Sequence, residues 1–226
     1  LKKFFRWVFR WLFRLGLAWV LLTALLVIPL RWVEPPTSAF MQIHRWVEQG
    51  SISHQWVPRQ AISDELALAV IAAEDQNFPK HRGFDAAEIR KAIDTHRQGG
   101  RLRGASTITQ QLARNLYLWP RRSWVRKALE MWFAGWLEVS LSKQRILELY
   151  LNVIELGEGV YGAEAGARHH FDRPASELTP QQAALLAGVL PAPRSLDASE
   201  PDHYLQQRQT WILGQMRNLG HGWLPE

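Results

Sequence analysis

Residues 15–30 make a run of sixteen residues without a charge, and the window 11–33 extends it to twenty-three with only Arg14 and Arg31 inside. About twenty apolar residues are what a helix needs to cross a bilayer, and terminal arginines can snorkel to the interface. Trp7, Trp11 and Trp32 sit where amphipathic indoles favour the headgroup level. The segment therefore reads as a spanning helix. A cleaved signal peptide is one rival, but Pro29-Leu30-Arg31-Trp32-Val33 offers bulky residues where a cleavage site needs small ones. A buried core helix is the other, and it would seldom start with Lys2, Lys3, Arg6, Arg10 and Arg14 or run into Pro35-Pro36. Those five cations precede any acid and account for most of the formal +6 charge, so the basicity belongs to the N-terminus and not to a nucleic-acid surface.

The rest of the chain has one domain's worth of sequence. With 226 residues, 47% of them hydrophobic, twelve tryptophans and no cysteine, it can bury a sizeable core, and it is neither disordered as a whole nor a disulfide scaffold. The expected organisation is a basic N-terminus at 1–10, a transmembrane anchor at 11–33, a connector at 34–60 and a domain at 61–220. Pro35, Pro36, Gly50 and Pro58 mark the connector, which holds one short helix around 39–48. Beyond it the pattern is all-α. Ser63 can cap a helix in which Leu66, Ala69, Val70 and Ala73 recur at helical spacing and which ends before Pro79. Further helices are expected at about 85–97, 105–117, 123–140, 142–151, 160–170, 179–189 and 203–218. No alternating strand run is evident.

Three polar clusters interrupt this pattern. Glu74 and Asp75 open the segment Glu74-Asp75-Gln76-Asn77-Phe78-Pro79-Lys80-His81-Arg82-Gly83, where a helix ends. A carboxylate there faces the negative end of the helix dipole with a like charge beside it, and both raise its pKa, as a general acid or base needs. The plainer reading is a solvated helix end. The second cluster is Gly104-Ala105-Ser106-Thr107-Ile108-Thr109-Gln110-Gln111, followed by Arg114 and Asn115. A capped helix start explains Ser106 or Thr107 but not the two glutamines, which suit a polar substrate such as a sugar or diphosphate. In the third, Arg126 and Lys127 stand four and three residues before Glu130, so both cations share a helix face with the acid. That spacing is either an ordinary surface ion pair or a cationic bed for a phosphate with a carboxylate beside it.

Two more blocks follow, Lys143-Gln144-Arg145-Ile146-Leu147-Glu148-Leu149-Tyr150-Leu151-Asn152 and Gly159-Val160-Tyr161-Gly162-Ala163-Glu164-Ala165 leading to Phe171. Taken in order over residues 61–193, the five blocks resemble glycosyltransferase family 51, the peptidoglycan glycosyltransferases, in their monofunctional membrane-anchored form. There are departures: His170 stands where the family commonly has tyrosine, Asp172 where it commonly has glycine, and Arg114 where lysine is frequent. The last keeps a cation for phosphate contact with altered geometry, and the first two bear on local packing.

The resemblance implies a lysozyme-like, two-lobed, all-α domain on a single membrane helix, with lipid II and the growing glycan strand as substrates. The 4-hydroxyl of an incoming N-acetylglucosamine attacks C1 of the N-acetylmuramic acid at the lipid-linked chain end. Undecaprenyl diphosphate leaves and the anomeric centre inverts. In these terms Glu74 is the base, and Glu130 is a second catalytic carboxylate that orients the cations or assists the leaving phosphate. Ser106, Thr107, Gln111, Arg114, Arg126 and Lys127 bind the diphosphate, and Asp75, Phe78, His81, Gly83, Gln110, Asn115, Lys143, Arg145, Tyr150 and Asn152 complete the expected binding set. No cofactor is required by the sequence, and no metal cage is offered by the adjacent His169 and His170; a divalent cation such as Mg2+ held by the substrate diphosphate stays open. The implied location is the bacterial inner membrane, with the N-terminus cytoplasmic and the domain periplasmic. Membrane lipid is an expected partner, with Trp119 and Trp124 touching it from an interfacial patch that includes Arg121, Arg122, Trp132, Phe133 and Trp136; cell-wall or division proteins are further candidates, and nucleic acid is not. Ser140-Leu141-Ser142-Lys143 matches the S-x-x-K of transpeptidases, but no K-T-G follows. A lytic enzyme and an idle membrane scaffold are the rival functions. A neutral glycan needs no diphosphate bed, and intact Glu74 and Glu130 argue against idleness.

Overall fold

The structure, a computed structural model, describes residues 2–97 and 106–225. In chain order its elements are α1 (Lys2–Val27), α2 (Ala39–Trp46), β1 (Ser53–His54), α3 (Asp64–Glu74), α4 (Ala86–Arg97), α5 (Ile108–Tyr117), α6 (Trp124–Ser140), α7 (Lys143–Val153), β2 (Glu155–Gly157), β3 (Val160–Tyr161), α8 (Ala163–Phe171), α9 (Pro180–Val189) and α10 (His203–Leu219). The helices start where short polar side chains can satisfy their free amides: Ser63, Thr107, Ser123, Ser142, Thr179 and Asp202 each accept a hydrogen bond from the first turn they precede. Gly104 and Ala105, where the second block and the expected helix at 105–117 begin, lie outside the described residues.

Two of these helices are apolar on every side and are buried accordingly. In α3 the buried run is Leu66 to Ala72, and in α9 it is Ala183 to Val189. They pack on each other and on α10 to form one lobe, while α5 packs on α6 and α7 to form the other, with α2 lying against α5. The end of α3 thus comes out of the core between the two lobes.

The expected helix at 160–170 divides. Val160 and Tyr161 form a strand, parallel to β1 and antiparallel to β2, before α8 begins at Ala163. Gly162 makes the turn: its φ is +87°, and a Cβ there would lie 2.7 Å from the Asn152 carbonyl oxygen. Strands this short carry no period-two signal long enough to read. At the far end of α8, Asp172 adopts the left-handed conformation at φ 52° that a glycine would take without strain, and a short polar side chain tolerates it. His170 is buried, with Nε2 2.7 Å from the Leu156 carbonyl oxygen and Nδ1 3.1 Å from Asp197 Oδ1. It thereby ties the end of α8 to β2 and to the chain between α9 and α10.

The stretch Lys2–Arg31 is long and apolar enough to cross a membrane, and most of its large side chains are exposed. Its C-terminal end is docked on the domain by polar ties. Trp132 Nε1 on α6 donates to Thr23 Oγ1 at 3.0 Å, and Tyr117 Oη on α5 donates to the Leu26 carbonyl oxygen at 3.0 Å. Arg145 on α7 donates through Nε to the Leu30 carbonyl at 2.8 Å and through Nη2 to the Val33 carbonyl at 3.0 Å. Glu148 pairs with the same guanidinium at 3.0 Å. Replacing Arg145 with alanine leaves those carbonyls without their donor at a cost of about 1–3 kcal/mol. The expected result is faster protease cleavage between residues 28 and 38 in detergent, followed on a gel, with the domain itself still resistant.

Candidate active site

Glu74 is the last residue of α3, carried to the cleft by a helix whose previous two turns are buried. Its Oε2 accepts from Gln111 Nε2 at 2.8 Å, and its Oε1 accepts from Arg208 Nη2 at 3.3 Å. Gln111 is held in turn, its Oε1 accepting from Tyr150 Oη at 2.9 Å. Burial pushes the Tyr150 phenol well above 10, helped by the charge on Glu74, so the hydroxyl stays protonated and serves as donor.

The Glu74 carboxyl is raised above the ordinary 4.5, and burial is the largest cause; Gln111, Arg208 and Arg114 pull it down, and Asp75 adds a smaller push upward. The neighbouring like charge expected from the sequence is therefore the minor effect. A raised carboxyl holds its proton more tightly in the folded than in the unfolded chain. Its contribution to stability is present below the unfolded value and is lost as pH rises through the folded one.

Asp75, next in the chain, is spent on local structure. Its carboxylate meets His81 Nε2 at 2.8 and 3.0 Å and accepts the Ile108 amide at 3.0 Å, capping α5. Phe78 is fully buried, in a T-shaped contact with the His81 ring. Gly83, at φ +79°, offers its carbonyl to Thr107 Oγ1 at 2.7 Å and Gln110 Nε2 at 3.2 Å, and a Cβ there would lie 3.0 Å from Glu138 Cγ. Lys143 spends its ammonium on Glu138 at 2.7 Å and over the Phe78 ring at 4.4 Å. The first block is thus a cradle that sets the start of α5.

The cations form a second knot. Glu130 is 1% exposed, with one oxygen 2.8 Å from Arg126 Nη1 and the other on Lys127 Nζ. Lys127 also donates to Gln110 Oε1 at 2.9 Å and Ser106 Oγ at 3.3 Å. Hydrogen bonds therefore run from α6 back to Ser106, which shares a cleft wall with Glu74. That cleft, about 970 Å³, is lined by Glu74, Ser106, Gln111, Arg114, Arg122 and Arg208, with Tyr204, Gln207 and Trp211 from α10. A smaller one of about 270 Å³ also contains Glu74, Ser106 and Trp211, and it is lined by Asp75, Asp85 and Glu88 with Lys91. Glu74 stands at the wall between a cation-rich recess and an acid-rich one.

Several expected binding residues do not reach either recess. Arg145 is occupied with the Leu30 and Val33 carbonyls just after α1, as above. Asn152 is fully buried, donating to the Val57 and Glu148 carbonyls and accepting from the Val57 amide, which pins the connector to α7. Tyr150 acts through Gln111, and Phe78 and Lys143 belong to the cradle, whereas Asp75 serves the cradle and also lines the smaller recess. Asn115 is buried on α5. Arg208, Tyr204 and Trp211 carried no motif. Arg208 nevertheless has a legible signal, because it lies three residues after Leu205 and four before Ile212, both buried, and so sits on the apolar stripe of α10.

Removing Glu130 would strand two cations, one of them buried. Glu130→Ala is expected to lower the melting temperature in detergent by about 10 °C, and Glu130→Gln by less because it keeps a hydrogen-bonding oxygen.

This geometry has relatives. A family model described as transglycosylase matches residues 41–217. The chain is 50% identical over 210 residues to the biosynthetic peptidoglycan transglycosylase of Stutzerimonas stutzeri strain A1501, covering 90% of this chain and 87% of that one. It is 48% identical over 217 residues to the protein of the same name from Xanthomonas campestris pv. campestris strain B100, covering 93% and 88%. With the one from Pseudomonas fluorescens strain Pf-5 it shares 50% identity over 221 residues, covering 95% and 92%. The two-lobed, mainly helical domain, the ordered polar blocks and these relatives agree: the chain belongs to the transglycosylase family.

Proposed function

We propose that this protein is a peptidoglycan glycosyltransferase that polymerises lipid II into glycan strands. The observation that carries the reading is the half-buried Glu74 carboxylate, fixed at a cleft whose other wall is cationic. A sugar hydroxyl is a weak nucleophile and needs a base as its bond forms. Glu74, with Gln111 on one oxygen and Arg208 on the other, accepts the proton of the attacking 4-hydroxyl. The new bond forms at C1 of the chain-end N-acetylmuramic acid while the bond from C1 to the diphosphate oxygen breaks on the opposite face, so the centre inverts. The departing diphosphate is met by Arg114, Arg126 and Lys127 with Ser106, Thr107 and Gln111. Glu130 acts by holding Arg126 and Lys127 in place, since both its oxygens are engaged and water is excluded from it.

The substrate's lipid tail keeps it in the bilayer, and α1 holds the domain there. We place α1 across the inner membrane with its five N-terminal cations in the cytoplasm and the domain outside. Trp124 is 90% exposed, and with Trp119, Val125, Met131, Trp132 and Val139 it gives α6 and its approach an apolar face beside α1, suited to the lipid surface. Phe133, by contrast, is buried and stacked on Tyr117, so it belongs to the core.

The test is purified full chain in detergent with labelled lipid II and gel separation of the products. Wild type is expected to give a ladder of long, muramidase-sensitive strands. Glu74→Gln should lower turnover by about 10²–10⁴-fold. Because the amide relieves the burial of a charge, its melting temperature should be equal or higher. Replacing both Arg126 and Lys127 with alanine is expected chiefly to weaken apparent affinity for lipid II. Cleavage of preformed glycan without a ladder would instead assign a lytic activity.

A further inference from the structure

Arg208 reaches the candidate base from the opposite lobe wall to Gln111. Its Nη2 is 3.3 Å from Glu74 Oε1, and its Nε donates to the Gly188 carbonyl at 3.2 Å, so the guanidinium is held at two points. Its side chain is only 20% exposed, against 17% for Glu74. The reach depends on α10 lying close on α9. Gly188 permits that approach, since a Cβ there would come within 2.6 Å of the buried Leu205 Cδ1.

The groups facing Glu74 come from each element around it. Asp75 follows it in the chain, Gln111 and Arg114 come from α5, Tyr150 stands behind Gln111 on α7, Arg208 comes from α10, Arg122 shares the larger recess, and Asp85 with Glu88 and Lys91 of α4 lines the smaller one. Gln111 and Tyr150 are neutral. Arg114 has its guanidinium 6.0 Å over the Phe40 ring, and among the described residues Arg208 is the cation in ion-pair contact with Glu74. A base must be ionised before the acceptor hydroxyl arrives, yet withdrawal from water favours the neutral acid. We propose that Arg208 is a positioning residue for the base: by pairing with Oε1 it keeps the Glu74 carboxylate charged and, together with Gln111 on Oε2, fixes its orientation. The inference rests on Glu74 being the base.

This role predicts a change in the pH profile that a loss of packing does not produce. Removing the cation raises the Glu74 carboxyl further, so less of it is ionised on the acid side, while at high pH it ionises regardless. The experiment is kcat/KM for labelled lipid II with the full chain in detergent, between about pH 5 and pH 9, for wild type, Arg208→Gln, Arg208→Lys and Glu74→Gln. Arg208→Gln is expected to move the acid limb up by about one pH unit. That is a loss of about tenfold below the limb and under about twofold on the alkaline plateau. Arg208→Lys, which keeps the charge, should leave the limb close to that of wild type.

An equal loss at every pH, a raised KM with an unmoved limb, or no change at all in Arg208→Gln would overturn the proposal. If Arg208→Gln does not fold, Arg208→Lys decides: a wild-type limb supports the proposal, and a displaced limb or a pH-independent loss overturns it. Full activity in Glu74→Gln would instead remove the base assignment on which the inference rests.

Discussion

A carboxylate at the end of an apolar helix, drawn part-way out of water, is the constraint around which this domain is arranged. Helix α3 is buried on all sides through Ala72, and the turn after it puts Glu74 between the lobes. An acid in that position is unfavourable unless other groups approach it. Helix α5 supplies Gln111, α7 locks that glutamine through Tyr150, and α10 brings Arg208. Helices from both lobes therefore meet at one side chain, with a third behind them, and the cleft is the space their meeting leaves.

The two glutamates are in contrasting settings. Glu130 has a cation on each oxygen and almost no contact with water. Among the described residues, Glu74 has one paired cation, one neutral donor and an open recess on each side. A carboxylate paired twice over is a strut for its partners, whereas one with free space beside it can receive a proton. Identical side chains thus take different work from their surroundings.

Much of the fold could be read from local chemistry. The cap at Ser63 announces its helix before any tertiary contact is known, and the boundaries of α3 to α7 fall within a few residues of those their patterns imply. What could not be read depends on approach between distant segments. Val160 becomes a strand only because residues 53 and 157 lie beside it. In the site, Glu74, Gln111 and the Arg126, Lys127 and Glu130 group were legible because each sits in a compact polar block. Arg145 and Asn152 lie in such a block too, but besides Glu148 their partners are backbone groups more than ninety positions away, which no spacing rule reveals. Arg208 had the converse problem: its partner is 134 positions away, and its own neighbourhood in the chain is ordinary helix.

The ties from Trp132 and Tyr117 to the last turns of α1, and from Arg145 to the residues just after it, make the anchor more than a leash. A flexible tether would let the domain tumble over the bilayer and leave direction to chance. A docked helix of 26 residues, about 39 Å long, instead holds the cleft in one orientation relative to the helix axis. On the proposed polymerase reading, a strand assembled in that cleft leaves it at a height set by the helix end, because the same ties hold cleft and helix together.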